Sequence, residues 1–298
     1  MISRRTIATM AVTLLFGAGC GRFGNQDAKG SHAQRIVSVS KQYTEILYAL
    51  GAADDLVAVD VSSTYPPEVR KLPTVGYHRA LSVEGMLAAK PTLILSGGPE
   101  NMGPEPVVEQ LKSLKIPMQY WEVPGDLDGA KELIRDMGKA FHKEARADSL
   151  VATLDADMAH ALDPARAPAD TPSVAIIHYG QAMNLYFLIS SRSLAGQMVR
   201  WAGGRMAVND TGSFGTRMTS PEVLAKANPD VILLTDFGYD RLAGRKDILA
   251  LPGVAATKAA RSGRIFRIEE HDIIYYGPRT GQNVEMIRSL IRQPGTPE

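Results

Sequence analysis

Aromatic and cationic residues gather at loop positions in this 298-residue sequence. Tyr77, His78 and Arg79 follow a Pro-led, Gly-closed run, Leu72-Pro73-Thr74-Val75-Gly76, just before a new helix begins. His178 and Tyr179 close a strand-like run. Arg217 lies just ahead of a capped helix, and Tyr275, Tyr276 and Arg279 lie ahead of the last one. Phenol, imidazole and guanidinium groups on loops between regular elements are where a site is expected. They suit the capture of a ligand. No phosphate-binding glycine pattern follows a first strand, and no Cys-x-x-Cys, His-Glu-x-x-His or Gly-x-Ser-x-Gly occurs. The 6 histidines (His32, His78, His142, His160, His178, His271) are scattered, so a multi-histidine zinc site is not expected. An enzyme would need a nucleophile or an acid–base pair that no motif supplies.

The bulk numbers set the frame for those residues. Hydrophobic residues make up 45% and charged residues 22%, an ordinary globular composition with length for two domains. Formal net charge is +1, so nothing points to nucleic acid. The first 19 residues hold two of the 33 basic residues, Arg4 and Arg5, and none of the 32 acids; removing them leaves −1. An anion site must therefore be built locally. Arg4 and Arg5 precede a short apolar run, Thr6 to Phe16, and then Gly17-Ala18-Gly19 and the single cysteine, Cys20. The run is too short to span a bilayer and reads as a cleaved export signal. It resembles a bacterial lipoprotein signal, with Gly17 where that motif favours Leu. The resemblance implies lipidation of Cys20. With one cysteine, no disulfide forms within the chain, so the fold must rest on its core. Phe23 to Gln34 is polar and Gly-bearing and reads as a tether.

The elements that must position the loops are written twice. In the first half, Arg35 to Ser40 is a strand, Gln42 to Leu50 a helix closed by Gly51, and Leu56 to Val61 a strand. Ser82 then caps a helix with Glu84 in its first turn, followed by Lys90-Pro91 and a buried strand, Thr92 to Leu95. A helix over Pro106 to Leu114 and a strand over Met118 to Val123 complete it. In the second half, Ser173 to His178 is a strand, Ser193 to Trp201 a helix ending at Gly203-Gly204, and Ser220 caps a helix with Pro221 at its first position and Glu222 next. Pro229 and the strand Val231 to Leu234 follow at the spacing of Pro91 and its strand. Alternating strands and helices predict parallel sheets covered on both faces, and the repeat predicts two like α/β lobes. Between the halves, Leu127 to Leu162 carries two apolar stripes at helical spacing. The second stripe is the expected stiff spine, stopped by Asp163-Pro164. The expected division is 1–19 signal, 20–34 tether, 35–142 first lobe, 143–163 spine and 164–298 second lobe. In open α/β sheets ligands bind beyond the carboxyl ends of strands, so two facing lobes bring the loops of the first paragraph together.

One family fits these residues. Arg35-Ile-Val-Ser, Thr44-Glu-Ile-Leu-Tyr-Ala-Leu-Gly51, Leu72-Pro-x-Val-Gly-Tyr-x-Arg79, Leu81-x-x-Glu84-Gly, Lys90-Pro91 and Gly277-Pro-Arg-Thr280 together resemble a haem-binding substrate-binding protein of a bacterial haem-uptake ABC transporter. The resemblance runs from about Arg35 to Arg292, and Gly-Tyr-x-Arg is its most haem-specific part. It implies the class III periplasmic-binding-protein fold, two Rossmann-like lobes with mainly parallel sheets on a long rigid helix. It implies that Tyr77 is the axial phenolate on haem iron, a hard donor for a hard ferric centre. Arg79 then favours the phenolate or binds a propionate, and Arg217 pairs with the other. Lys41 in the first βα loop is a candidate of the same kind, weighed against a solvated surface charge. His178 is a candidate second ligand, although Tyr179 to Ser191 departs from the Gly-rich loop expected there. Tyr276 and Arg279 wall the pocket, or finish a strand and cap a helix. Glu84 and Glu222 suit the helix dipole. The resemblance adds that one such acid per lobe docks on the permease. The expected partners are haem, a permease with its ATPase, and a membrane through the lipid, with the protein itself a monomer. Two other cargoes, a corrinoid or a ferric siderophore, fit the wider class. An enzyme on a duplicated scaffold, or a lipoprotein scaffold without a small ligand, is the alternative outside it.

Overall fold

The computed structural model describes residues 34–77, 80–98, 103–122, 125–179, 186–209, 216–218 and 221–296. The expected signal, Cys20 and most of the expected tether lie outside these. Gln34–Glu298 is one compact unit. Its first half runs β1 (Ile36–Ser38), α1 (Lys41–Leu50), β2 (Leu56–Val59), α2 (Val83–Ala88), β3 (Leu93–Ser96), α3 (Glu105–Ser113), β4 (Met118–Tyr120) and α4 (Leu127–Ala140). The spine is α5 (Glu144–Ala161). The second half runs β5 (Ser173–Tyr179), β6 (Tyr186–Ile189), α6 (Leu194–Trp201), β7 (Arg205–Met206), β8 (Thr216–Met218), α7 (Pro221–Ala227) and β9 (Val231–Thr235). It closes with α8 (Asp236–Tyr239), α9 (Arg245–Ala250), α10 (Lys258–Arg261), β10 (Ile265–Ile268) and α11 (Thr280–Leu290).

The repeat read from the sequence is a repeat of topology. The first sheet has the order β2-β1-β3-β4, all parallel. In the second, β7, β5, β9 and β10 take the same order and the same parallel sense. What the pattern did not show is an addition to the second lobe. β6 folds back antiparallel on the end of β5, and β8 pairs antiparallel with β6. The stretch after His178, which departs from the Gly-rich loop expected there, thus contains a strand.

Alternate strand residues go to opposite faces, and both faces are covered. In β3, Leu93 and Leu95 join one apolar cluster and Ile94 another. In β9, Val231 and Leu233 face the first cluster, Ile232 and Leu234 a third. The first cluster is shared by both lobes. It takes Ile46 and Leu47 from α1, Ile134 and Met137 from α4, Val151, Leu154 and Met158 from α5, Met198 from α6 and Ile287 from α11. So one core passes from sheet to sheet through the spine. The helix starts carry the caps that their sequences announce: Ser40, Ser82, Asp126 and Ser193 each accept a hydrogen bond from the amide three residues on. Ser220 lies outside the described residues.

The α5–α11 crossing needs a glycine. A Cβ at Gly281 would lie 2.5 Å from the Cβ and 2.6 Å from the carbonyl carbon of Asp157. Neither can move without parting the helices. Gly281→Ala is expected to cost about 1–3 kcal/mol in thermal unfolding, as overpacking does. Gly125→Ala, with nothing within 4 Å of its added carbon, is the control.

Candidate functional site

Tyr77 is held at the carboxyl end of the first sheet by its backbone. After β2 the chain returns and lays Pro73–Gly76 beside it in parallel. The Val59 amide donates to Pro73 O (3.1 Å), the Val75 amide to Val59 O (2.9 Å) and the Val61 amide to Gly76 O (2.9 Å). Gly76 then turns at φ 102°, a conformation that glycine alone adopts readily. Beyond it, Tyr77 O accepts from the Ala80 amide at 2.7 Å, and Leu81 is buried ahead of the Ser82 cap. The tyrosine is half-buried, fixed on both sides at the sheet end where ligands bind. His78 and Arg79 lie outside the described residues. The matching connection of the second lobe, from β7 to α7, contains Arg217. It sits on β8 opposite Leu188, and its side chain is outside the described part.

His178 stands at the carboxyl end of β5. Its Nδ1 is 3.2 Å from Thr235 Oγ1, at the end of neighbouring β9, and 3.7 Å from Glu270 Oε1. Burial lowers its pKa, against the pull of Glu270, so the ring is neutral at pH 7. Glu270 also pairs with Lys41 Nζ, which reaches across from α1 of the other lobe.

Three of the candidate residues are engaged within the protein. Lys41 is not a solvated charge. Its side chain is only 13% exposed and is committed to Glu270. Arg279 is committed too. Its Nε and Nη2 grip Glu45 Oε1 and Oε2 at 3.0 and 3.1 Å, its Nη1 reaches Asp272 Oδ1 at 2.8 Å, and its guanidinium lies 3.6 Å from the centre of the Tyr65 ring. Burial works against that charge, and Glu45 and Asp272 more than offset it, so the pKa rises. Tyr276 is a core residue, 2% exposed, with its hydroxyl on Leu194 O and its ring against Trp201. Burial pushes its phenol up to about 12.

These residues belong to a polar belt between the lobes that the sequence did not reveal. From the first lobe come Lys41, Gln42, Glu45, Thr64 and Tyr65; from the second come Glu270, His271, Asp272, Tyr275 and Arg279. Gln42 donates to Tyr276 O at 2.7 Å, the Tyr275 hydroxyl to Glu45 at 2.6 Å, and Thr64 Oγ1 meets His271 Nδ1 at 3.1 Å. The available signal was Lys41, Gln42 and Glu45 on a helix whose remaining residues are mostly apolar, and the acidic run Glu269-Glu270-His271-Asp272. Asp236 lies at the edge of this belt and accepts from the Glu270 amide at 2.9 Å. Burial, with Glu269 beside it and the Glu270 amide opposing, pushes its carboxyl up to about 6. A carboxyl raised in the folded state binds more protons there than when unfolded. Its contribution to stability therefore falls as pH rises from about 4 to about 7. Thermal unfolding across that range is expected to show this decline, and Asp236→Asn to flatten it.

Glu84 and Glu222 are exposed, each in the first turn of the matching helix of its lobe. Both helices start at the carboxyl ends of the strands, the end that holds Tyr77 and His178. Among the described residues no group of three or more His, Cys, Asp or Glu is placed to hold a metal ion. None of the described helices is long and apolar enough to cross a membrane.

Two repeated α/β lobes on a common helical spine, with candidate ligand groups at the facing strand ends, are the plan of a class of two-lobed binding proteins. Residues 36–271 match the periplasmic binding protein family, and the chain belongs to it. It is therefore a solute-binding protein of the extracytoplasmic space. It is similar to the periplasmic haem-binding protein RhuT from Roseiflexus sp. RS-1 in apo form. That structure is 34% identical, aligns over 87% of this chain and 98% of that one, and has a TM-score of 0.77. It is also similar to an uncharacterized ABC transporter substrate-binding lipoprotein, YvrC, of Bacillus subtilis (strain 168), at 26% identity over 90% of this chain and 83% of the relative. A vitamin B12-binding protein of Pectobacterium atrosepticum is 28% identical over 67% of this chain and 71% of its own length.

Proposed function

We propose that this protein captures haem between its lobes, with the Tyr77 phenolate on ferric iron, and delivers it to an ABC permease. The observation that carries the reading is the placement of Tyr77. The Gly76 turn holds a half-buried phenol at the carboxyl end of the sheet. A phenolate oxygen is a hard donor suited to ferric iron. Arg79 and Arg217 are the propionate partners, the more so because Lys41 and Arg279 are spent within the belt. His178 is the second ligand from the facing lobe. Glu84 and Glu222, one per lobe, meet the permease. Residues 1–19 are removed on export, Cys20 carries the lipid, and residues up to 34 tether the protein to its membrane. RhuT is described as haem-binding, which supports this cargo.

The test is an absorption titration of the mature protein with haemin. A saturable Soret change at one equivalent is expected, with no spectral response to cobalamin. The vitamin B12-binding relative favours a corrinoid as the second reading. Cobalamin binding without a haemin response would establish it.

A further inference from the structure

We propose that Glu270 is a positioning residue for the cargo site. With Thr235 it holds His178 in one tautomer, proton on Nδ1 and lone pair on Nε2, while Lys41 holds Glu270 from the opposite lobe. The role assigned to the Nε2 lone pair rests on the haem reading; the tautomer does not.

Four elements converge here. His178 is the last residue but one of β5, Thr235 ends β9, Glu270 follows β10, and Lys41 opens α1 of the first lobe. A neutral imidazole carries its proton on one nitrogen, and its neighbours decide which. Nδ1 faces Thr235 Oγ1 at 3.2 Å and a carboxylate oxygen of Glu270 at 3.7 Å. The longer distance is beyond a hydrogen bond, so Thr235 accepts the proton's hydrogen bond and Glu270 supplies the field. A proton on Nδ1 is attracted to that carboxylate; a lone pair there would be repelled, and little water intervenes to weaken either effect, since His178 is 16% and Glu270 5% exposed. Lys41, itself mostly buried, pairs with the Glu270 carboxylate and holds it in place. Nε2 has no partner among the described residues. This is the arrangement in which a histidine binds metal through one nitrogen and donates the other to a carboxylate or hydroxyl. It also ties the cargo ligand of one lobe to a charge of the other through a single carboxylate.

The tautomer can be read without cargo. Long-range ¹H–¹⁵N correlation of the histidine rings in the apo protein, assigned by comparison with His178→Ala, is expected to show Nδ1 protonated and Nε2 bare at pH 7. In the charge-balanced pair Lys41→Met/Glu270→Gln, both tautomers should be populated. Haemin titration of that pair should show roughly 10–100-fold weaker binding, the cost usual for a ligand's supporting partner. Added to His178→Ala, the pair should cost little more, because the residues act as one unit. A wild-type spectrum with the proton on Nε2 overturns the proposal. So do fully additive losses. If the wild type binds no haemin, the haem reading falls, and the ring spectra still decide the tautomer. Unfolding curves for the variants separate misfolding from mispositioning.

Discussion

Tyr77→Phe is expected to abolish the Soret change that haemin produces with the wild-type protein. The substitution removes one oxygen and keeps the ring, so the half-buried contacts and the Gly76 turn persist. If that oxygen is the ligand to iron, affinity should fall by at least about a hundredfold. Losing a mere supporting partner of a ligand already costs 10–100-fold. Tyr77→Ala should match it, and the agreement would assign the loss to the oxygen and not to the ring. The unfolding temperature should barely move for Phe. A Phe variant that keeps the full spectrum would remove Tyr77 from the iron and leave His178 as the candidate to test. A Phe variant that loses haem but also unfolds at markedly lower temperature would place the phenol in the fold instead.

Arg279→Met is expected to destabilise the fold by about 3–5 kcal/mol. That is the usual result of removing one partner from a buried ion pair. Glu45 is the reason. Its side chain is 4% exposed and loses both arms of a bidentate grip, keeping among the described residues only the Tyr275 hydroxyl. Asp272, 14% exposed, loses its contact as well. For a chain of this size each kcal/mol moves the unfolding midpoint by roughly 2–4 °C, so a fall on the order of 6–20 °C is expected by calorimetry. Arg279→Met with Glu45→Gln should recover most of it, because no bare carboxylate then remains. Lys cannot replace Arg279, since an ammonium cannot grip two oxygens in plane. Were Arg279 a propionate partner, the variant would weaken haem binding and leave the midpoint where it was.

The two variants show what the sequence could and could not convey. The lobes were legible because each strand–helix unit carries its own local pattern. Ser82 and Ser220 with their following acids, and Pro91 and Pro229 with their apolar runs, marked the repeat that the strand order bears out. β6 and β8 were not legible. Their pairing is with each other and with β5, not with neighbours in a regular alternation. The belt was hidden by distance along the chain. Lys41 and Glu270 are separated by 229 positions, Glu45 and Arg279 by 234. Sequence shows that a residue is charged; it does not show what that charge meets. Lys41, weighed as a propionate contact or a surface charge, and Arg279, weighed as a pocket wall or a helix cap, are each paired with a carboxylate of the other lobe. Tyr276, weighed as a pocket wall or the end of a strand, is buried in the core, because a tyrosine near a loop serves as readily for packing as for binding.

The belt also bears on how the chain is completed as it is made. Gln42 and Glu45 emerge on a helix whose other residues are ready to pack, yet their partners at Tyr276 and Arg279 follow 234 positions later. Until then the first half holds polar groups that it cannot satisfy by itself. A chain that stops short of Tyr276 and Arg279 is therefore expected to leave Gln42 and Glu45 unsatisfied and its first half open to proteases.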